Sequence, residues 1–526
     1  MFLTPVAAYL RESSLPLIII PAVLVVYILN AVRWVYHSGL RDLPGPSLAP
    51  YSELWRIFFL TMKGKAPLEY RKLHENYGKI VRTGPDTVSI SDPTMIPIIY
   101  GFNSTYVKSS FYDVFTMIYK NKTTYNVFST QNPHHHKYLR SRAANKYSTT
   151  SLRDLEPQVD ECSDLFVAKM RKLYNEDPKG SVDLGAWLQY YAFDVVGAMT
   201  FQQTFGFMEQ EKDVDDMIGG IEVGLHYVGL VGNVKGLHNW LFGSKLVSAA
   251  MACIPGAKDG NPIPKFIKIC QDAIKEYDEN DAGNSSKESR TDFLSWFRKE
   301  AQKSKEHMSD DDLMFFLLVN LLAGSDTTAI SLRAIVYYII KSPRAYKKLQ
   351  QEIDDMDNAG LLSAKVSLEE SNKMPYLQAT MKEAMRIHPA VAYPLERLVP
   401  KGGAELCGVH LPGGTRVGIN ASVVHMNKDV FGEDVDEFRP ERWLDADVEQ
   451  LKIMEKSFLA FGNGTRSCIG KNISLMEMGK LIPEIFRNFD VEWTSPNEEW
   501  NVSTFWFAKQ TGIQVRCTSR ARESVK

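Results

Sequence analysis

Phe461-Gly462-Asn463-Gly464-Thr465-Arg466-Ser467-Cys468-Ile469-Gly470 is the stretch on which the reading of this 526-residue chain turns. Glycines four residues before the cysteine and two after it allow a tight loop with amide N–H groups aimed at the sulfur. Such hydrogen bonds hold a thiolate and set its donor strength. Arg466 would neutralise nearby anions, and Phe461 would shield the sulfur. A lone cysteine is ordinarily a small buried hydrophobe. Five fixed positions in the pattern F-x-x-G-x-R-x-C-x-G, however, recur by chance on the order of once in ten thousand chains of this length. The other cysteines (Cys162, Cys253, Cys270, Cys407 and Cys517) lie far apart with no CxxC pair. A chain this long does not need disulfide staples, so they read as bland thiols of a reduced setting.

Two further signatures accompany the loop. Ala323-Gly324-Ser325-Asp326-Thr327-Thr328 falls inside a long helical run at 309–341, opened by Ser309-Asp310-Asp311-Asp312 as N-cap and first-turn carboxylates. A mid-helix glycine, adjacent hydroxyls and a buried Asp all cost stability, so the segment is either a kinked core helix or a functional one. Glu383-Ala384-Met385-Arg386 puts an acid and a base on one helix face. Alone that pair is weak, since most such pairs are solvated bridges. The downstream segments Leu395-Glu396-Arg397 and Phe438-Arg439-Pro440-Glu441-Arg442-Trp443 make it more specific. The run His134-His135-His136 suggests a metal site, but adjacent side chains diverge around a helix and do not converge on one ion, so the bland reading is favoured.

The composition, 44% hydrophobic, 11% aromatic and 24% charged, excludes a disordered or fibrous chain. Lys+Arg 61 against Asp+Glu 63 leaves no global electrostatic case for nucleic-acid binding. Helical periodicity marks 65–77, 151–173, 184–205, 264–278, 290–304, 309–341, 343–356, 375–387 and 469–487. A small hairpin is expected around Gly84-Pro85, short strands among 391–420, and closing strands near 489–517. The 279–289 stretch reads as a solvated linker, and no repeat is visible. The predicted class is mostly α with small β-sheets, an α+β fold.

Residues 13–32 form an uncharged run of about 30 Å as a helix, the thickness of a bilayer core. Trp34 and Tyr36 supply an interfacial belt, and Arg33, His37 and Arg41 put basic charge on the C-terminal side. A cleaved signal would want a basic n-region, but Arg11 is cancelled by Glu12. The expectation is residues 1–42 as membrane anchor and linker and 43–526 as one catalytic domain facing the cytosol. The sequons at Asn103, Asn121, Asn284 and Asn463 then carry no glycan. Leu43-Pro44-Gly45-Pro46 is a stiff exit from the membrane.

The three signatures, in this order and with the proline hinge, make the chain from Leu43 onward resemble the cytochrome P450 family. Segments such as 411–420 and 506–512 are most similar to microsomal filamentous-fungal members of the pisatin demethylase type. The resemblance implies the cytochrome P450 fold around one buried haem, heme b, with Cys468 as the axial iron ligand. It implies a distal helix crossing the haem with an opened turn for dioxygen, where Asp326 and Thr327 relay protons. It puts Phe461, Gly464, Arg466 and Gly470 at the cofactor, with Arg397. Many members carry Trp where this chain has His136; Arg140 is expected on a haem propionate with His136 as a second donor. Glu383, Arg386 and Arg442 are expected as structural support.

A cysteinate ligand favours O–O cleavage. No dinucleotide fingerprint is present, so electrons are expected from a separate NADPH-cytochrome P450 reductase, with cytochrome b5 as a second donor. Lys137, Lys452, Lys456 and Lys471 are the expected docking face. The pocket is expected to include Phe111, Tyr112, Phe315, Phe316, Asn320, Ala323, Val391, Tyr393, Phe505 and Phe507, which together favour a lipophilic substrate. Residues 226–242 are either a membrane-dipping segment or a buried loop. The expected function is monooxygenation of a lipophilic small molecule in fungal secondary metabolism, at the endoplasmic reticulum membrane. An atypical oxidation (desaturation, ring expansion or rearrangement), a reductase-independent isomerisation, or a non-catalytic haem-binding role are the alternatives.

Overall fold

The computed structural model describes residues 38–520 except 121, 243–262, 282–289 and 304–307. It also describes residues 21, 22, 25, 26, 28, 29, 31–33, 35 and 36. The expected membrane span at 13–32 therefore lies largely outside the described residues; those that are described between 21 and 36 are helical, mostly exposed and, except for Arg33, apolar.

The helices that position the site are α1 (Ala66–Tyr77), α2 (Pro133–Ala143), α3 (Glu156–Glu176), α4 (Leu184–Phe201), α5 (Met217–Val231), α6 (Asp310–Lys341), α7 (Pro343–Asn358), α8 (Pro375–Ile387) and α9 (Lys471–Asn488). The long run expected over 309–341 is one continuous helix, α6, started by a capping box in which Ser309 and Asp312 each bond the other's backbone N–H. The expected helix at 151–173 begins at Glu156. Pro157 fits only a first turn, so the residues before it form a separate short turn, Thr149–Leu152. α4 stops at Phe201 because Gln202 turns left-handed, four residues short of the expected end. The 226–242 stretch is no loop: it is the end of α5, a turn, and a short helix, Leu237–Phe242.

The expected hairpin is present, Ile80–Arg82 antiparallel to Thr87–Ile90 with Ile80 opposite Ile90. It joins a five-stranded sheet in which Arg416–Ile419 runs parallel to Thr87–Ile90 and pairs Arg397–Leu398 on its other side, with Val107–Lys108 at the edge. A three-stranded sheet of Val182–Asp183, Phe489–Trp493 and Gln514–Ser519 closes the far end. The architecture is thus mostly helical with small sheets. Its main core packs α6 against α4, α8 and α9, with α3 packed on α4 and α9. α4 is apolar nearly all round, which is why it lies inside the molecule. Among the described residues α6 alone is long and apolar enough to cross a membrane. Its burial in the core accounts for that character.

Candidate active site

The cysteine loop folds back on itself. The Cys468 N–H donates to the Phe461 carbonyl (2.8 Å), and Gly462 N to Leu459 O (2.8 Å). Gly464 sits at φ +61 with its Cα against the Tyr100 carbonyl, a position open only to glycine. The Cys468 side chain lies deep in the protein yet is accessible, because what it faces is a cavity of about 1470 Å³. Burial pushes its thiol up; the amide N–H groups of Gly470 and Lys471 and the charges of Arg140 and Lys471 oppose that. The sulfur therefore has the donors that hold a thiolate once a cation binds it, with loss of its proton.

One rim of the cavity is lined by basic side chains. Lys108, His136, Arg140 and Arg466 line it, and Arg397 lies beside Lys108 across the strand pair. Arg140 donates to Ser467 O (2.7 Å), Arg466 to Thr130 O (2.8 Å), and Arg397 to the Tyr112 hydroxyl (3.1 Å) and Glu396 O (2.8 Å). Among the described residues none of the five forms an ion pair. Buried cations without an anion are costly. Desolvation and the neighbouring cations lower Arg466 to about 10 and His136 to about 3, and push Lys108 well below the usual lysine range.

The opposite wall is α6. Val319, Asn320, Ala323, Gly324 and Thr327 face the cavity at helical spacing. The expected opened turn is absent: α6 runs unbroken, and the Thr327 hydroxyl donates to Ala323 O (2.8 Å), satisfying the carbonyl locally. Gly324 is small for packing, since a Cβ there would meet Val196 of α4 at 2.9 Å. Asp326 does not open into the cavity. It is buried on the far side of α6, accepting a hydrogen bond from Gln189 of α4, and burial raises its carboxyl above the ordinary value.

Glu383, Arg386 and Arg442 form one buried cluster. Arg386 is bidentate on Glu383 (2.9 and 2.8 Å), while Arg442 Nε and Trp443 Nε1 donate to the same carboxylate (3.3 and 2.9 Å). His425 carries this cluster to the cysteine loop: Nδ1 bonds Arg386 O (3.0 Å) and Nε2 accepts from Leu459 N (2.8 Å). Sequence reasoning missed His425, Lys108 and Gln189. Each owes its place to a partner distant in sequence, and nothing in its local context distinguishes it.

Of the expected pocket residues, Asn320, Ala323, Val391 and Phe507 line the cavity. Phe111, Tyr112 and Tyr393 do not. They stand behind Trp506, which lines the cavity and meets their rings at 5.3, 6.4 and 6.2 Å. Phe315 and Phe316 lie beyond the cavity end of α6 and face a separate small recess, where Phe316 stacks on Phe297 (5.0 Å). Phe505 packs on the His226 ring (3.9 Å) of α5, admitted by Gly229.

The residues around the cavity fit a flat dianionic group carrying a metal. Gly470 needs no left-handed backbone and a Cβ there would touch nothing in the protein, so its missing side chain leaves space to the cavity alone. The unpaired basic groups would hold two carboxylates, and the sulfur would ligate a metal.

A cytochrome P450 family model matches residues 44–514. The chain is 35% identical to the cytochrome P450 monooxygenase cicH of Emericella nidulans, covering 91% of this chain and 94% of that protein. It is 33% identical to pisatin demethylase of Fusarium vanettenii, covering 93% and 91%. With the cytochrome P450 monooxygenase mpaDE of Penicillium roqueforti it shares 35% identity over 96% of its length, spanning 58% of that longer protein. The chain belongs to the cytochrome P450 family. It is a P450 monooxygenase, an oxidoreductase class that holds haem and uses dioxygen, a redox partner and a small-molecule substrate.

Proposed function

We propose that this chain is a membrane-anchored monooxygenase that inserts one oxygen atom into a lipophilic small molecule, a tailoring step of fungal secondary metabolism. The observation that carries the reading is the cavity itself: Cys468 on one wall, Thr327 on the other, cations at one rim and apolar side chains such as Leu225, Val228, Val391 and Trp506 elsewhere. Bound haem b would supply dioxygen activation; Cys468 would hold its iron, and Arg140, Arg397, Arg466, Lys108 and His136 its propionates. With haem bound, the apolar walls would exclude water from the remaining space, and Thr327 would offer it a hydroxyl. Asp326 and Thr327 are the proposed proton relay, and Glu383, Arg386 and Arg442 with His425 brace the cysteine loop.

Electrons are proposed to come from an NADPH-dependent reductase on the same endoplasmic reticulum membrane. Membrane attachment is supported by the apolar run at 13–32 and by a face of the body. Leu48, Tyr51, Leu54, Phe58, Phe59 and Met62 all expose large apolar side chains beside the α5-to-Trp240 connection, where Lys235 N bonds Glu53 (2.8 Å). Reconstitution with NADPH-cytochrome P450 reductase tests the function: NADPH and oxygen consumption should rise with a substrate, and one atom of labelled dioxygen should enter the product. Turnover without NADPH or oxygen would reassign the chain to isomerisation.

A further inference from the structure

The 226–242 stretch turns one face to the cavity and the other outward. Tyr227 and Leu241 line the cavity, while Trp240 is 65% exposed. His238 is buried, one helical turn before Leu241 on the helix Leu237–Phe242. Its Nδ1 lies 2.8 Å from the Tyr227 hydroxyl, and its Nε2 lies 3.3 Å from Oγ1 of Thr116, which also lines the cavity. One imidazole thus joins the end of α5 to the segment that follows Phe115. The far end of this chain fixes the direction of its protons. The Thr116 hydroxyl donates to Asp113 O (2.7 Å), so toward His238 its oxygen can only accept. Nε2 therefore carries the imidazole proton, Nδ1 is the unprotonated nitrogen, and the Tyr227 hydroxyl donates to it. Burial holds that state: it lowers His238 to about 4 and pushes Tyr227 up to about 12, so the imidazole stays neutral and the phenol protonated near neutral pH. Both hydroxyls commit their protons inside the protein, and toward the cavity each oxygen is left only as an acceptor.

We propose that Tyr227 and Thr116, oriented by His238 as the positioning residue, form a subsite for a hydrogen-bond donor, and that the lipophilic substrate carries an alcohol or phenol hydroxyl held there. This rests on the monooxygenase reading and names the chemical class of its substrate. Leu225 and Val228, the neighbours of Tyr227 on α5, make the surrounding wall apolar. A hydroxyl brought against that wall without a partner would lose its water for nothing; against these two oxygens it regains a hydrogen bond. A ketone or ether oxygen would instead meet acceptors with no proton to offer it.

Diphenylmethanol and benzophenone test the subsite, because they share one carbon skeleton and differ in whether the oxygen bears a proton. A purely apolar pocket binds the less polar benzophenone more tightly. Calorimetric titration of the full-length, haem-loaded protein is expected to show the reverse, with diphenylmethanol bound about threefold to tenfold tighter. Tyr227→Phe removes one acceptor and should cut that preference severalfold. His238→Leu should cut it by another route: the Tyr227 proton is released, and benzophenone gains affinity through its carbonyl. A His238 that only supported the fold would weaken both ligands alike. Benzophenone favoured by the parent, no measurable binding of diphenylmethanol up to its solubility limit, or an unchanged preference in either variant would overturn the subsite. Heat of binding does not depend on turnover, and the carbon monoxide band of the same samples reports the haem-thiolate reading separately, so failure of one is not failure of the other.

Discussion

Gly464 carries a constraint that no side chain can meet. Its φ of +61 costs an L-residue about 1–2 kcal/mol, and a Cβ would overlap the backbone carbonyl oxygen of Tyr100, which has no rotamer with which to retreat. Overpacking against backbone adds about 1–3 kcal/mol. Gly464→Ala should therefore lose at least about 2 kcal/mol by chemical denaturation and retain less haem. An unchanged midpoint would show that the loop is looser than the Tyr100 contact requires. Glu477 on α9 is a second special residue: fully buried, both carboxyl oxygens without partners, its carboxyl raised far above the usual range by desolvation. A raised folded value means that the native protein keeps the proton while the unfolded chain ionises. That costs stability as pH rises above the ordinary glutamate value of 4.5. Glu477→Gln is predicted to be more stable than the parent at pH 7.5, with the gap closing as pH falls toward that value. A variant less stable at pH 7.5 would mean that Glu477 has a partner in solution.

Between elements, the Glu383 carboxylate is the junction of α8 with the segment before Trp443. It meets Arg386 and Arg442 with all three side chains almost wholly out of solvent. Removing one member of such a cluster strands the rest, at about 3–5 kcal/mol. Glu383→Ala should show that loss in urea unfolding, whereas an isosteric Glu383→Gln keeps the side-chain volume and one acceptor oxygen and should lose less. Equal losses would mean that the charge, not the hydrogen bonding, holds the junction. The ExxR spacing made the Glu383–Arg386 pair legible, because i,i+3 is a local relation. So was the start of α6, since Ser309 and Asp312 cap within one turn. The His425 link to Leu459 was not legible: it spans 34 residues and depends on where two loops meet. The same holds for Lys108, whose neighbours come from strand pairing with Arg397. Aromatic residues were assigned to the pocket by alignment of segments, and most of them lie elsewhere. Burial behind Trp506 or beyond the end of the cavity is a tertiary property that size and hydrophobicity do not encode.

Across the molecule, α6, α9 and the cysteine loop all face one cavity. The same body presents an apolar face to the outside at Leu48–Met62. If that face rests on a bilayer, Phe58→Ser with Phe59→Ser (56% and 46% exposed in the parent) should lower partition of the protein lacking residues 1–42 into phosphatidylcholine vesicles severalfold, without changing its folding midpoint. Unchanged partition would remove the face from membrane binding. The site and the proposed function both depend on Cys468 being the thiolate ligand of a haem held in this cavity. The carbon monoxide difference spectrum of the reduced protein is the sharpest check of that ligation. The parent should show the red-shifted band of thiolate-ligated haem, and Cys468→Ala should lose it. Absence of that band in a haem-loaded parent, or its persistence in Cys468→Ala, would refute the ligation.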